Sequence, residues 1–327
     1  MEKFDEKGSY NVDEANYIKN SSTNFDAAES IFFARQLAYV RGKILEVPKA
    51  ALNAFRVFPV QTEVPAGAQT AYQRIYDSYG MAEIISNYAD DLRRVDILGA
   101  EVPVKVVDIG DSYGYSVKEI RNAQYARTNL QLYKAQAARR AIDQKLNSIA
   151  WKGDAAHNVT GFLNNPNITT VLLPATGTGG STQIKDKTVN QIIADFNEII
   201  NTIPQATNQV EQADTILMST AVYDYIATTP RGIDNDTTIL EFLQKVHPEI
   251  RKERWIKVGE LNSAASDGSD MIIAGKFQPD YVKFEIPNRF EQMQVQMRNL
   301  EYVINCISSV IGVTVTLPMA FVRVEGA

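Results

Sequence analysis

The residue types that carry most enzyme chemistry are scarce in this chain. It has two histidines, His157 and His247, and one cysteine, Cys306. His247 precedes a proline and His157 lies in a turn-like stretch, so conformational or hydrogen-bonding roles rather than catalysis are predicted for both. Cys306 lies in an apolar run, which predicts a small buried side chain and excludes an internal disulfide. No serine lies in a nucleophile-elbow motif, so we predict no catalytic residue, although Asp, Glu, Lys or Tyr chemistry is not excluded.

Two short stretches look like ligand loops but lack the residues that such loops need. The glycine-rich stretch 177–182 has no Gly-Lys-Ser/Thr ending, which a phosphate-binding loop requires. The stretch from Asp234 begins like a calcium loop, but Ile239 stands where that loop needs glycine and Lys245 where it needs glutamate. We interpret the first stretch as a linker and the second as loop and helix-capping residues, so no metal and no cofactor is predicted.

Length and charge place the chain among ordinary globular proteins. Its 327 residues, 45% of them hydrophobic, can form two compact domains or one elaborated domain. The net charge of −6 disfavours a protein whose whole surface binds nucleic acid. Residues 302–322 contain no charge, but they are rich in Val and Ile and contain Pro318, which predicts buried strands rather than a membrane helix. The polar N-terminal sequence predicts no signal peptide.

The first part of the chain is predicted to be an arm followed by a helix. Residues 1–25 are polar and charged, which is typical of a disordered tail or of an arm that orders on a partner. Asp26 and Glu29 form a helix-capping pattern. Apolar residues then recur at helical spacing from Phe33 to Ile44, and Pro48 ends the pattern.

Residues 56–113 lose the helical period and are predicted to form a long β-hairpin. Prolines and glycines separate short runs of β-forming residues. An isolated two-stranded ribbon is marginally stable in water, so we expect this hairpin to lie on a neighbouring copy. A solvated turn is the alternative interpretation of its charged tip. The predicted interface residues at this tip are Asp90, Asp91, Arg93, Arg94 and Asp96.

A long basic helix is predicted over residues 117–152. Ser116 and Glu119 form a capping box, and no proline or glycine follows until Gly153. The segment has eight cationic and two acidic residues, a charge of +6 in an acidic chain. One interpretation is a solvated face with a few ion pairs. The other is a face turned toward a polyanion.

An α/β region follows the glycine-rich linker. Thr188 and Gln191 are predicted to cap a helix that Pro204 ends, and Ser219 and Thr238 are predicted to cap two shorter helices. Strands are predicted at 215–218 and 271–274, with mostly strand in residues 281–325.

Two features of the chain point to one family: the order of these elements, and several local stretches of sequence. The stretches run from Phe55 to Pro65, from Tyr88 to Asp96, from Tyr113 to Glu119, from Ala137 to Arg140 and from Asn147 to Asp154. In both respects the chain resembles tailed-phage major capsid proteins of the Hong Kong 97 type. The resemblance covers nearly the whole chain, and it depends on the ordered set because no single stretch is diagnostic.

The resemblance implies an α+β chain of the Hong Kong 97-type capsid fold with five parts. They are an N-terminal arm and helix at 1–55, an extended β-hairpin loop at 56–113 that overlaps the adjacent subunit, a peripheral domain with a long spine helix at 114–185, an axial α/β domain at 186–284, and returning strands at 285–327.

The function implied by the resemblance is structural rather than enzymatic. Identical subunits would form pentamers and hexamers of an icosahedral shell around double-stranded DNA, assembled in the host cytoplasm and retained in the virion. In this family the spine helix tends to lie toward the shell interior, so Arg127, Arg139, Arg140 and Lys145 are expected to face the DNA. Portal, scaffold and decoration proteins are candidate further partners, and no membrane partner is expected.

Two other functions remain open at this point. One is the shell of a cellular nanocompartment with the same fold, which only its cargo would distinguish. The other is a soluble α/β enzyme that works through carboxylates. An enzyme of this kind predicts a monomer or small oligomer with a deep pocket lined by Asp or Glu.

Overall fold

The computed structural model describes residues 50–79, 96–126, 130–232 and 235–327. Contacts divide the chain into the segment Met1–Ala50 and the compact unit Ala51–Ala327. The predicted arm at 1–25 and the helix predicted from Asp26 lie outside the described residues.

The helices of the described residues are α1 (Ala54–Val57), α2 (Val117–Ala126), α3 (Leu130–Lys152), α4 (Val189–Ala206), α5 (Thr220–Thr228) and α6 (Ile239–Val246). The strands are β1 (Val60–Gln61), β2 (Thr70–Tyr79), β3 (Asp96–Lys105), β4 (Val107–Ser116), β5 (Gly153–Asp154), β6 (Val159–Thr160), β7 (Thr169–Leu172), β8 (Thr215–Met218), β9 (Pro230–Gly232), β10 (Asn235–Thr238), β11 (Trp255–Lys257), β12 (Met271–Gly275), β13 (Val282–Glu285), β14 (Asn288–Gln292), β15 (Gln296–Arg298), β16 (Glu301–Val310), β17 (Gly312–Val315) and β18 (Phe321–Glu325).

A five-stranded mixed sheet of order β11-β8-β12-β18-β7 lies between two hydrophobic cores. Side chains alternate between the two faces of a strand. In β8, Leu217 therefore packs into one core, while Ile216 and Met218 pack into the other. Because both of their faces are buried, β8 and β12 are apolar at every position except Thr215, rather than at every second one. This explains why runs such as 215–218 and 271–274 could be recognised in the sequence.

Helices α4, α5 and α6 contribute the core on one face of this sheet. The predicted caps at Thr188, Ser219 and Thr238 are confirmed by side-chain hydrogen bonds at each helix start. The prediction that Pro204 ends its helix was wrong, since α4 continues to Ala206 with the proline inside its last turn. A proline removes only one backbone donor, and this close to the helix end little of the hydrogen-bond ladder remains to be broken.

The other core lies under α1, α3 and two further sheets. Strand β13 pairs with β1 and β17, and β16 pairs with β4 along its whole length and with β14 and β15 on its other side. The charge-free run 302–322 forms β16, β17 and the start of β18, which confirms the prediction of strands. In the described part of the chain, no helix is long and apolar enough to cross a membrane.

The predicted long helix appears as α2 and α3, and residues 127–129 between them lie outside the described residues. Its predicted capping box is confirmed, because the Ser116 hydroxyl accepts from the Glu119 N–H and the Glu119 carboxylate accepts from the Ser116 N–H. Helix α3 ends at Lys152, and Gly153 follows with a φ of 71°. That left-handed conformation favours glycine.

We expect Gly161→Ala to destabilise the subunit by about 1–3 kcal/mol, because inserted atoms in a packed site force the backbone to shift. A Cβ at Gly161 would meet only backbone atoms, among them the Gly153 nitrogen and the Trp151 carbonyl oxygen. Urea denaturation of the unassembled subunit measures this loss. Gly259→Ala is the matched control, since a Cβ there meets nothing within 4 Å. Equal stability losses in the two variants would contradict the packing argument.

Strands β2 and β3 form a hairpin ladder of ten residue pairs, from Thr70↔Lys105 to Tyr79↔Asp96. The structure shows that the following strand, β4, turns away into the four-stranded sheet with β16. The region predicted as a hairpin loop, 56–113, thus also contains β1 and most of β4. The division into five parts stays a prediction.

Candidate assembly and nucleic-acid surfaces

The β2–β3 hairpin exposes large apolar side chains along its described length. Tyr72, Ile97, Leu98 and Val102 are 65%, 63%, 61% and 45% exposed. Leu98 and Val102 lie four residues apart on one strand and therefore share a face of the ribbon. Side chains of this kind are a candidate surface for contact with another protein when they occur together rather than singly.

The hairpin is attached to the rest of the subunit at its root. The Gln73 side-chain amide donates to the Thr316 hydroxyl over 2.9 Å. Beside this bond, a cleft of about 490 Å³ separates the hairpin from the sheet that contains β13 and β17. Its lining includes Glu63, Asp280 and Glu285, and Glu285 is paired with Lys283 at 3.3 Å. Among the described residues, this cleft is one place that the carboxylate-enzyme alternative could use.

Most of the predicted interface residues at the hairpin tip cannot be placed. Asp90, Asp91, Arg93 and Arg94 lie outside the described residues. Asp96 begins β3, where it is the ladder partner of Tyr79. Their assignment to an interface stays a prediction.

The predicted DNA-facing residues lie on different sides of α3. Arg127 is outside the described residues. Arg139 is exposed, and Arg140 is half-buried. Residues of an α-helix turn by about 100° each, so Lys145 lies about 120° around the helix from Arg139. These residues therefore do not form one compact cationic face, and their contact with DNA stays a prediction.

Ion pairs already engage part of the positive charge of this region. The Lys145 ammonium lies 3.0 Å from Asp154, and the Lys134 ammonium lies 3.2 Å from Glu119. Hydrogen bonds from Lys145 and then His157 hold the pKa of the Asp154 carboxyl below its ordinary value. The pKa of Glu119 is also lowered, chiefly by the backbone hydrogen bond from Ser116 and then by Lys134.

His247 and Cys306 lie in surroundings that fit the roles predicted for them. Nδ1 of His247 lies 2.9 Å from Glu249, and Nε2 lies 2.7 Å from Asn197, as predicted for a hydrogen-bonding role. Cys306 is fully buried in β16, as predicted, and burial raises the pKa of its thiol. Within the described ranges, no group of three or more His, Cys, Asp or Glu side chains could hold a metal ion.

Polar groups that sequence reasoning missed connect distant segments inside the subunit. The Asn147 amide oxygen accepts from the Ala54 N–H at 2.9 Å, and its amide nitrogen donates to Glu260 at 2.9 Å. Glu260 also accepts from the Asn53 amide at 2.6 Å. This network joins α1, α3 and the Gly259–Leu261 turn. No spacing in the sequence signals it, because its members are about a hundred residues or more apart.

A second missed cluster joins Glu211, Lys276 and Tyr281. The Lys276 ammonium lies 2.7 Å from Glu211, and the Tyr281 hydroxyl donates to the same carboxylate at 2.7 Å. Burial raises the pKa of Glu211, but the hydrogen bonds from Lys276 and Tyr281 outweigh it, and the pKa lies below its ordinary value. Through this ion pair and hydrogen bond, the cluster connects the loop before β8 to the segment between β12 and β13.

A family model for the major capsid protein matches residues 80–327, and the chain belongs to that family. This membership implies a structural, non-enzymatic role, and it confirms the predicted family and function as a major capsid protein. No curated protein matches the chain.

Solved capsid structures share the fold. The capsid of Myoviridae phage XM1 is 17% identical, with a TM-score of 0.76 over 91% of this chain and 100% of that chain. The capsid of the native GTA particle is 11% identical, with a TM-score of 0.61 over 89% and 95% of the two chains. Mycobacterium phage Adephagia provides a third structure, 12% identical, with a TM-score of 0.58 over 88% and 92%. These similarities confirm the predicted Hong Kong 97-type α+β fold.

Proposed function

We propose that this major capsid protein forms the icosahedral shell of a tailed bacteriophage around double-stranded DNA. Its copies would form pentamers and hexamers, assembled in the host cytoplasm and retained in the virion. The observation that supports this most directly is the exposed apolar ribbon β2–β3. A ribbon of this kind gains stability when a neighbouring copy covers it.

Electron microscopy of the purified chain tests this proposal. Closed shells of uniform size, containing pentamers and hexamers, are the expected result. A monomer or small oligomer under all assembly conditions would contradict it and would favour the carboxylate-enzyme alternative. The contents of shells purified from cells separate a phage head, which holds DNA, from a nanocompartment, which holds a protein cargo.

The predicted contact with DNA is non-specific and electrostatic. Arg139 is its best described candidate, since it is exposed and has no carboxylate partner among the residues that the structure describes. Lys145 is a weaker candidate because Asp154 already compensates its charge. Portal, scaffold and decoration proteins remain proposed partners on the same basis of family resemblance.

We expect Arg139→Gln to weaken the binding of duplex DNA to unassembled capsomers equally for all sequences. The logarithm of the binding constant falls linearly with the logarithm of the salt concentration. Each lost phosphate contact makes this slope less steep by about 0.9. Fluorescence anisotropy over a salt series measures this slope. Lys252→Gln, which removes an exposed cation on another part of the subunit, is the control. The same slope in wild type, variant and control would exclude Arg139 from the DNA contact.

A further inference from the structure

One side of helix α2 combines two cations, an amide and a tyrosine, and all four side chains are exposed. They are Lys118, Arg121, Asn122 and Tyr125, at spacings of three, one and three. Because an α-helix turns by about 100° per residue, the four side chains lie within an arc of about 100°. We name this arc the α2 polar face.

The two cations of the α2 polar face have no carboxylate partner in the described part of the chain. The acidic residue of this helix, Glu119, lies about 100° around the helix from Lys118. Its carboxylate is already paired with the Lys134 ammonium at 3.2 Å. On α3, by contrast, both Lys134 and Lys145 are paired with carboxylates. The charges of Lys118 and Arg121 therefore remain available to an anion from outside the subunit.

The two neutral side chains of the α2 polar face place hydrogen-bond donors beside these cations. Asn122 has an amide nitrogen and Tyr125 has a hydroxyl, and proteins use both groups to contact phosphate oxygens. Tyr125 is 94% exposed, so its hydroxyl is accessible to a partner. The arc contains no aliphatic side chain, which disfavours a protein partner, because the centres of protein interfaces are mainly apolar.

We propose that the α2 polar face binds phosphates of duplex DNA, with Lys118 and Arg121 as the cationic contacts. Asn122 and Tyr125 supply the neutral donors. The helix rises about 10 Å from Lys118 to Tyr125, which corresponds to about three phosphates along the axis of one DNA strand. This inference rests on the proposed function, in which the shell encloses duplex DNA, and it adds a site on a different helix from Arg139.

The combined substitution Lys118→Gln and Arg121→Gln tests the cationic contacts in unassembled capsomers of the full chain. Loss of two phosphate contacts should make the salt dependence of the binding constant less steep by about 1.8 logarithmic units per unit. Between about 0.05 M and about 0.2 M salt, the affinity for duplex DNA should then fall about tenfold less than in the wild type. Fluorescence anisotropy measures this difference. The thermal unfolding midpoint should not change, because both side chains are exposed.

Arg251→Gln with Lys252→Gln is the matched control, since it removes two exposed cations from another part of the subunit. It changes the net charge equally but should keep the wild-type salt dependence. Equal changes in the two double variants would reduce the effect to net charge and would overturn the site. A wild-type salt dependence in the α2 variant would overturn it as well. Wild-type capsomers that bind no duplex DNA would overturn the proposed DNA contact together with this site, so the two failures are distinguishable.

Tyr125→Phe separates a hydrogen bond to phosphate from stacking on a base. Loss of the hydroxyl should weaken duplex binding about two- to tenfold, as expected for one hydrogen bond. The salt dependence should not change, because no charge is removed. Tighter binding of single strands than of duplex, fully retained in Tyr125→Phe, would indicate stacking on unpaired bases and would overturn the proposal.

Nitration of tyrosine by tetranitromethane provides a measurement on the unsubstituted chain. Saturating duplex DNA should slow the nitration of Tyr125 severalfold. Tyr72 on the hairpin, which is 65% exposed, should react at an unchanged rate. Equal protection of the two tyrosines would contradict a local contact at α2. Defective assembly of the α2 double variant, with unchanged DNA binding, would assign the α2 polar face to a neighbouring copy and would overturn the proposal.

Discussion

Asp195→Ala is expected to destabilise the subunit by about 3–5 kcal/mol, because it leaves an uncompensated charge in the core. The Lys187 ammonium and the Asp195 carboxylate lie 2.5 Å apart, and their side chains are 0% and 5% exposed. Asp195 lies on the buried side of α4, and Lys187 directly precedes the N-cap residue of that helix, Thr188. The pair thus joins the start of α4 to its own second turn. Urea denaturation of the unassembled subunit measures the loss.

An exposed ion pair in the same chain provides the control. Asp224 and Lys257 lie 2.6 Å apart, but their side chains are 56% and 40% exposed. Removal of one partner of an exposed pair lowers the free energy of unfolding by at most about 1 kcal/mol. The double variant Lys187→Met with Asp195→Leu should recover most of the stability, because no charge is then left in the core. An Asp195→Ala loss no larger than that of Asp224→Ala would contradict this account.

The largest effect on assembly is expected from the combined substitution Leu98→Asp and Val102→Asp on the hairpin. Burial of a Leu or Val side chain contributes about 1.5–3 kcal/mol, so each lost contact between copies weakens association at least about tenfold. The variant subunit should remain folded, because neither side chain is buried within it: Leu98 is 61% and Val102 is 45% exposed. Sedimentation velocity and electron microscopy should therefore show unassembled subunits with an unchanged thermal unfolding midpoint.

Val210→Asp is the matched control for this assembly prediction. Val210 is 76% exposed but lies in the turn after α4, away from the hairpin sequence. We expect it to assemble like the wild type. Normal shells from the hairpin variant would show that neighbouring copies do not cover this face. A lowered unfolding midpoint in the hairpin variant alone would instead indicate that the face contributes to the stability of its own subunit.

Local signals in the sequence were sufficient for most of the secondary structure. The capping residues at Ser116, Thr188, Ser219 and Thr238 act on backbone groups within three positions. Their effect can therefore be predicted without knowledge of the rest of the fold. Strands β8 and β12 were recognisable for a similar reason, because burial on both faces makes them almost wholly apolar.

The candidate site could be predicted only in part. The exposed ribbon followed from turn residues and β-forming runs, but its extent did not. Whether residues 107–113 continue the hairpin or join another sheet depends on β16, which lies about two hundred positions later. The net charge of the long helix could be counted in the sequence. The sequence does not show which of these cations are paired. That depends on the positions of Glu119 and Asp154 in the fold and on the direction in which each side chain leaves the helix.

The sequence by itself determined the starts of α2, α4, α5 and α6, the helical character and charge of the basic segment, the existence of the ribbon, the strands of its C-terminal part and the family. All of these depend on spacing and on the preferences of neighbouring residues. Only the tertiary structure decided the buried Lys187–Asp195 pair, the Asn147–Glu260 network and the pairing of Lys134 and Lys145 with carboxylates. The reason is physical: desolvation and charge pairing depend on which distant groups are brought within a few ångströms, and distance along the chain carries no information about that.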